Sequence, residues 1–283
     1  MVAAKAVVNG AVSIVNAIAT GKGAALGISL KVEATVDVKP GSGIIFKNQT
    51  LNQRRFINKV VEKAVPKKYL KKSKIQVSLK SEMPTGYGLK SSSAISSAIS
   101  LACAKIFKPR INDFQVISNS VDASKEAGVS ITGALDDACA CYFGGFVVTD
   151  NYKKKIIKTE RAPTNLAAVI FIPKSQKRGN IRKLKTLSKI FDEAWHLAKN
   201  SDYWNSMTLN GIATSAILNS DPVTLAKLIE NGALGASVSG NGPAIAAVVK
   251  KKHVKNVRNA FSNLEGKILV SNINNTKAEV HEV

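Results

Sequence analysis

Residues 84–94 read PTGYGLKSSSA, and the rest of the chain takes its meaning from this stretch. Glycine loses more backbone entropy on folding than any other residue. Gly86 and Gly88, beside a lysine and three serines, therefore mark main chain that bends sharply to approach something closely. Upstream, KIQVSLKSE (74–82) alternates with Ile75, Val77 and Leu79 on one face, the pattern of a strand. Downstream, SSSAISSAISLACAKIF (91–107) has neither Gly nor Pro and repeats Ala94, Ala98, Ala102 and Ile95, Ile99 at helical spacing, so it reads as a buried helix with serine, a favoured N-cap type, at its start. The order is strand, glycine loop, helix N-terminus. Such a helix end leaves N–H groups unpaired and carries partial positive charge, so the loop is suited to phosphate oxygens. Lys90 adds a full charge. Ser91, Ser92 and Ser93 offer hydroxyls to phosphate or to a Mg²⁺ ion that bridges phosphates.

Two common phosphate loops do not fit. The pattern G-x-x-x-x-G-K-[ST] fails at Gly21-Lys22, where Gly23 follows and Asn16 stands in the first glycine position. The pattern G-x-G-x-x-G fails at Gly86, where Ser91 takes the third position, and at Gly240, where Ile245 does.

The chain has 283 residues, 45% of them hydrophobic, enough for one large or two ordinary domains and too apolar for disorder. Lys and Arg number 41 against 19 Asp and Glu, a net charge of +22 that suits small anionic substrates or nucleic acid. The lysines are spread over 66–74, 153–155, 177–185 and 250–255 without interleaved aromatics. That distribution favours solvated turns and no nucleic-acid partner. Cys103, Cys139 and Cys141 form no C-x-x-C pair, and reduced core thiols are expected. The opening MVAAKAVVNGAVSIVNAIAT resembles a leader peptide, but Asn9, Gly10, Ser13 and Asn16 interrupt it. No stretch has membrane-spanning length, so a soluble cytoplasmic protein with no membrane partner is expected. The oligomeric state is not legible.

Along the chain, 26–39 alternates as a half-buried strand, 52–65 places Phe56, Val60 and Ala64 on one helix stripe, and 111–128 is a helix capped by Asn112 and stopped by Gly128. A short helical stretch in 132–145 leads to a hairpin turning at Asp150-Asn151. The pattern changes around Arg161–Pro163, which divides the chain into 1–162 and 163–283. The second part reads as strand 166–173, helices near 182–199, 203–219 and 221–231, a glycine loop running into a strand over 235–250, helix 252–263 and strand 266–271. The expected fold class is α+β with two domains.

Pro84, Gly88, Leu89, Ser91, Ser92 and Ala94 fit P-x-x-x-G-L-x-S-S-x-A, which resembles the phosphate-binding motif of the GHMP kinase superfamily. Ser239-Gly240-Asn241-Gly242-Pro243 resembles that superfamily's C-terminal glycine motif, and LDDACACYFGG (135–145) resembles the segment with its catalytic aspartate. Within the superfamily, SIVNAIATGKGAALGI (13–28), GLKSSSA and TGALDDA resemble the archaeal shikimate kinases. The resemblance implies transfer of the ATP γ-phosphate to the 3-hydroxyl of shikimate, in a two-domain fold with both ligands in the cleft between the domains.

On that resemblance Asp137 is the expected catalytic aspartate, by its distance from Gly144-Gly145, and Asp136 is its rival. Successive helix residues point about 100° apart, so the two should not face a substrate equally. Ser92 and Glu126 are the expected Mg²⁺ partners. For Glu126 a surface role is an equal reading, and Asp122 competes. Lys22, presented by Gly21 and Gly23, suits the carboxylate of shikimate, as does Arg178, although ATGKGA also reads as a plain turn. Ser239, Gly240, Asn241 and Gly242 should lie against the phosphate loop and substrate. Lys90 departs from the superfamily, where glycine is usual. The three histidines, His196, His253 and His281, have no catalytic setting. Another kinase of the superfamily, of homoserine or mevalonate type, is the alternative, and a basic nucleic-acid-binding protein a more distant one.

Overall fold

The computed structural model describes residues 2–46, 51–175, 177 and 179–283. The first half is built on a mostly antiparallel sheet. Strands β1 (Val2–Val15) and β2 (Lys22–Pro40) form its long central hairpin, and β3 (Ile44–Phe46) lies at one edge. Helices α1 (Leu51–Ala64) and α2 (Lys67–Leu70) then precede β4 (Ser73–Ser81). Next come α3 (Ser91–Phe107), α4 (Asp113–Glu126), α5 (Leu135–Phe143) and the hairpin β5 (Phe146–Asp150) and β6 (Lys155–Glu160). Strand β2 is 19 residues long because it serves two neighbours on the edge away from β1. Its outer half, from Val32, pairs with β4, and its inner half, Lys22 to Leu26, pairs with β5.

The second half begins with β7 (Leu166–Pro173) and continues through a 3₁₀ segment (Ile181–Leu187), α6 (Ser188–Lys199), α7 (Tyr203–Leu218) and α8 (Pro222–Glu230). Strands β8 (Ala233–Val238) and β9 (Ile245–Lys250), helix α9 (Val254–Asn259) and β10 (Gly266–Asn272) complete an antiparallel sheet in the order β10-β7-β9-β8. The chain then returns to the first sheet, where β11 (Glu279–Glu282) pairs with β1.

The unbroken apolar run LAAVIFIP follows from the position of β7 between β10 and β9. Its Leu166, Ala168, Ile170 and Ile172 face a core cluster that continues through both halves, and Val169 and Phe171 face a second cluster with Leu225, Leu228 and Phe261. A strand buried on both faces has no polar side to alternate with.

Most expected elements are present, with specific differences. The opening twenty residues contribute β1, whose end is buried on both faces and therefore lacks alternation. Strand β8 was expected as loop. Gly235, in its sequence, is there because α7 packs so closely that a Cβ would meet the Trp204 carbonyl at 3.1 Å and the Met207 side chain at 3.2 Å. The helix expected over 182–199 is divided at Leu187 into a 3₁₀ segment and α6, and helix 252–263 shortens to α9 behind a 3₁₀ turn. Cys103, Cys139 and Cys141 are buried free thiols, and burial raises each of them. No helix of the described residues is long and apolar enough to cross a membrane.

Candidate active site

The loop from β4 to α3 turns through three left-handed residues, Gly86 (φ +84°), Gly88 (φ +86°) and Lys90 (φ +62°). Leu89 between them is fully buried and anchors the loop; burial of a leucine contributes roughly 1.5–3 kcal/mol. The N-cap of α3 is Lys90, not a serine as expected, and no described side chain caps it. The serines instead occupy the first helical turn, and the Ala94 amide bonds back to the Lys90 carbonyl at 2.9 Å. The open N-terminus can therefore receive an anion's oxygens.

The C-terminal glycine loop lies directly on this one. Ser239 Oγ donates to the Gly88 carbonyl at 2.9 Å, and the Ala244 amide donates to the Tyr87 carbonyl at 3.1 Å. The approach needs glycine: a Cβ on Gly88 would stand 1.8 Å from the Ser239 carbonyl oxygen. The end of β1 fastens the same loop. Gly240 N donates to Ser13 Oγ at 2.9 Å and Asn16 Nδ2 donates to the Gly240 carbonyl at 2.7 Å. Asn16 was not foreseen as a site residue, although it lies in the 13–28 stretch, because nothing local distinguishes it from a structural asparagine.

Helix α5 brings the two aspartates to this place from Ala134, an uncapped left-handed N-cap (φ +52°). Asp136 is 3% exposed and bound to Asn151, whose Nδ2 donates to its Oδ1 at 2.8 Å while the Asp136 amide donates to Asn151 Oδ1 at 3.3 Å. Thr149 Oγ1 and Thr132 Oγ1 complete the network around that asparagine. Gly23 leaves room for the carboxylate, since a Cβ there would stand 2.3 Å from Asp136 Oδ2. Burial pushes Asp136 up to about 7, the neighbouring Asp137 charge adds to the effect, and Lys90 and the Asn151 hydrogen bond oppose it.

Asp137 points the other way. Its Oδ1 lies 2.8 Å from Lys90 Nζ, with side chains 15% and 6% exposed. The contact is one of opposite charges, because the same oxygen has no aligned hydrogen bond among the described residues. Lysine in the left-handed region costs roughly 1–2 kcal/mol that glycine avoids.

These groups line a cleft of about 430 Å³, bounded by the first turns of α3 and α5, by Asn16, and by Gly240 and Asn241. Of the sequence candidates, Gly86, Gly88, Lys90, Ser91, Ser92, Ser93, Asp136, Asp137, Gly240 and Asn241 meet in it. Leu89 and Ala94 sit in the core beneath, and Pro84, Ser239 and Gly242 shape the loops without lining it. A larger recess, about 570 Å³ beside Lys108, Arg110 and Gln115, has no carboxylate on its walls.

Other candidates are drawn elsewhere. Lys22 Nζ is 2.9 Å from Asp192 Oδ1 and 5.1 Å from the centre of the Trp195 ring, outside the cleft lining. Gly21 (φ +78°) is a turn glycine under the Tyr152 ring, bonded to the Asn151 amide at 2.7 Å. Glu126 pairs with Lys63, and Asp122 with Lys154 at 2.7 Å. Each acid is paired with a lysine of a neighbouring segment, and neither lines the cleft. Arg178 lies outside the described residues.

The comparisons with known proteins agree with this geometry. The chain matches the GHMP kinases N terminal domain over residues 55–145 and the GHMP kinases C terminal domain over 220–267. A protein of Methanosarcina mazei named shikimate kinase is 36% identical over 277 residues, 95% of this chain and 94% of that one. One of the same name from Methanothermobacter thermautotrophicus is 33% identical over 96% of each chain. Among solved structures, a homoserine kinase from Cytophaga hutchinsonii superposes with a TM-score of 0.76 at 16% identity, over 99% of this chain and 97% of that one. The Methanococcus jannaschii mevalonate kinase does so with 0.71 at 14%, over 96% and 98%. Likeness at such low identity speaks for the fold alone. With the fold, the paired glycine loops and the full-length archaeal relatives taken together, the chain belongs to the GHMP kinase family.

Proposed function

We propose that the protein is a shikimate kinase, which transfers the γ-phosphoryl group of ATP to the 3-hydroxyl of shikimate. The observation that carries this reading is the carboxylate of Asp137 facing the phosphate loop across one cleft. The names of the archaeal relatives, similar over nearly the whole chain, supply the acceptor.

The chemistry follows from positions. Main-chain N–H groups at the start of α3 suit the phosphates of the nucleotide. The acceptor hydroxyl oxygen bonds to the γ-phosphorus as the bond to the β–γ bridging oxygen breaks. ADP leaves, and the hydroxyl proton passes to the Asp137 carboxylate. Asp136, turned to Asn151, holds the first turn of α5 so that Asp137 keeps its direction.

Kinases of this family use ATP and, typically, a divalent metal ion; magnesium is the ion we propose here. The donors present fit it. Among the described residues no group of three His, Cys, Asp or Glu could hold a metal by itself. Mg²⁺ prefers oxygen ligands and keeps several waters, so phosphate oxygens with the Ser92 hydroxyl would suffice. The ion would neutralise charge on the phosphates. In this reading 1–162 and 163–283 are the two lobes around the cleft, with shikimate toward Asn16, Gly240 and Asn241.

The test is ADP release by the purified protein with Mg-ATP and, separately, shikimate, homoserine, mevalonate or no acceptor. Turnover with shikimate alone is expected. Turnover with another acceptor keeps the kinase and discards the substrate, and turnover with none overturns the reading.

A further inference from the structure

Lys90 combines three features that a simple grip on the nucleotide does not require. Its backbone is left-handed at φ +62°, in a loop where Gly86 and Gly88 take such angles without a side chain. Its side chain is 6% exposed and its Nζ lies 2.8 Å from Asp137 Oδ1, turned inward where a lysine that merely attracts anions would reach into solvent. Gly240, from the opposite loop, leaves it room, since a Cβ there would stand 2.9 Å from Nζ. Three elements, the α3 N-cap, the first turn of α5 and the C-terminal glycine loop, are thus arranged around one ammonium. Strained backbone kept at a cleft, with a charged group aimed inward, points to a role in the chemistry.

We propose that Lys90 is a catalytic residue that works with Asp137 on the phosphoryl group in transit, a proposal that rests on the kinase reading above. When the acceptor oxygen bonds to the γ-phosphorus and the bridging bond breaks, negative charge is spread over the equatorial phosphoryl oxygens and the departing ADP. The ammonium meets that charge without giving up a proton, and the hydroxyl proton goes to Asp137. An interaction that strengthens as the charge redistributes raises kcat and leaves ground-state nucleotide binding little changed. A lysine that only held the phosphates would act on ATP affinity instead.

The experiment uses the full chain. Wild type is first assayed for phosphoryl transfer from Mg-ATP to shikimate. Lys90→Gly, Lys90→Met and Lys90→Arg are then compared for thermal midpoint, for direct Mg-ATP binding by calorimetry and for kcat. Lys90→Gly relieves the left-handed backbone but leaves the Asp137 carboxylate beside Asp136 without its counter-charge, so its midpoint is expected below that of wild type, and that of Lys90→Met, which keeps the left-handed strain, lower still. Mg-ATP affinity should stay within about threefold and kcat should fall on the order of 10²–10³-fold, with Lys90→Arg recovering part of the loss. If Lys90→Gly misfolds, Lys90→Arg, which keeps a positive charge opposite Asp137, carries the same comparison of affinity against kcat. A weakened ATP affinity with kcat retained, or no effect on either, overturns the proposal. A wild type inactive with shikimate and with the other acceptors overturns the kinase reading instead, so the two failures are separate.

Discussion

Asn151 and Asp136 hold each other twice: the Asn151 amide nitrogen donates to the Asp136 carboxylate at 2.8 Å, and the Asp136 main-chain amide donates to the Asn151 side-chain oxygen at 3.3 Å. One residue from the turn after β5 thereby fixes both backbone and side chain at the start of α5. Asn151→Ala removes every side-chain hydrogen bond of this residue while its main-chain bond to Gly21 remains, leaving Asp136, Thr132 and Thr149 with fewer partners. The expected loss of unfolding free energy is about 2–3 kcal/mol by urea titration, with kcat lowered about tenfold at saturating substrates. An unchanged kcat would show that Asp137 does not depend on the way its neighbour is held.

The same buried carboxylate makes stability depend on pH. Asp136 is raised to about 7 in the folded protein by burial first, then by Asp137, with Lys90 and Asn151 in opposition. Its unfolded value is near 4. The folded state therefore favours the protonated form. This contribution is fully present below about pH 4 and is lost as pH rises through about 7. Asp136→Asn has no such proton to lose. Its stability relative to wild type should grow between pH 4 and 7 and level off above, by about 4 kcal/mol in all. Denaturant unfolding of both proteins at pH 5 and pH 8 checks this; a constant difference would sink it.

Metal dependence separates two residues that the sequence proposes together. Ser92 lines the cleft, whereas Glu126 is held by Lys63 at the surface. Activity titrated with Mg²⁺ should show Ser92→Ala needing about tenfold more ion for half-maximal rate, and Glu126→Ala titrating as wild type. The reverse result would require α4 to move its end into the cleft during catalysis.

Lys22 lies against Asp192 and the Trp195 ring, where an exposed ion pair contributes at most about 1 kcal/mol. Lys22→Ala is expected to leave the KM for shikimate and for ATP within about twofold. A rise in the shikimate KM alone would restore the carboxylate role that its glycine-flanked position suggests.

The bend of residues 84–94 onto α3 was legible in the sequence because its chemistry is local. Two glycines, a lysine and three serines between an alternating strand and a glycine-free helix specify a left-handed bend onto a helix N-terminus, whatever surrounds them. The same holds for β2, α1, α4 and β7, whose periodicity or length names them. Strands β8 and β11 were missed because small residues or a short span give no period, and β1 because its end is buried on both faces. The directions that Asp136 and Asp137 take were not local at all. They depend on Asn151, fifteen residues along the chain, and on Lys90 in another loop, which pull adjacent carboxylates in different directions. Lys22 and Glu126 follow the same rule, since each pairs with an opposite charge that the fold brings near. By itself the sequence determined which segments bend, alternate or coil, because those preferences belong to neighbouring residues. Only the tertiary structure decided which charged groups meet, because their partners lie far apart in the chain and close together only after folding.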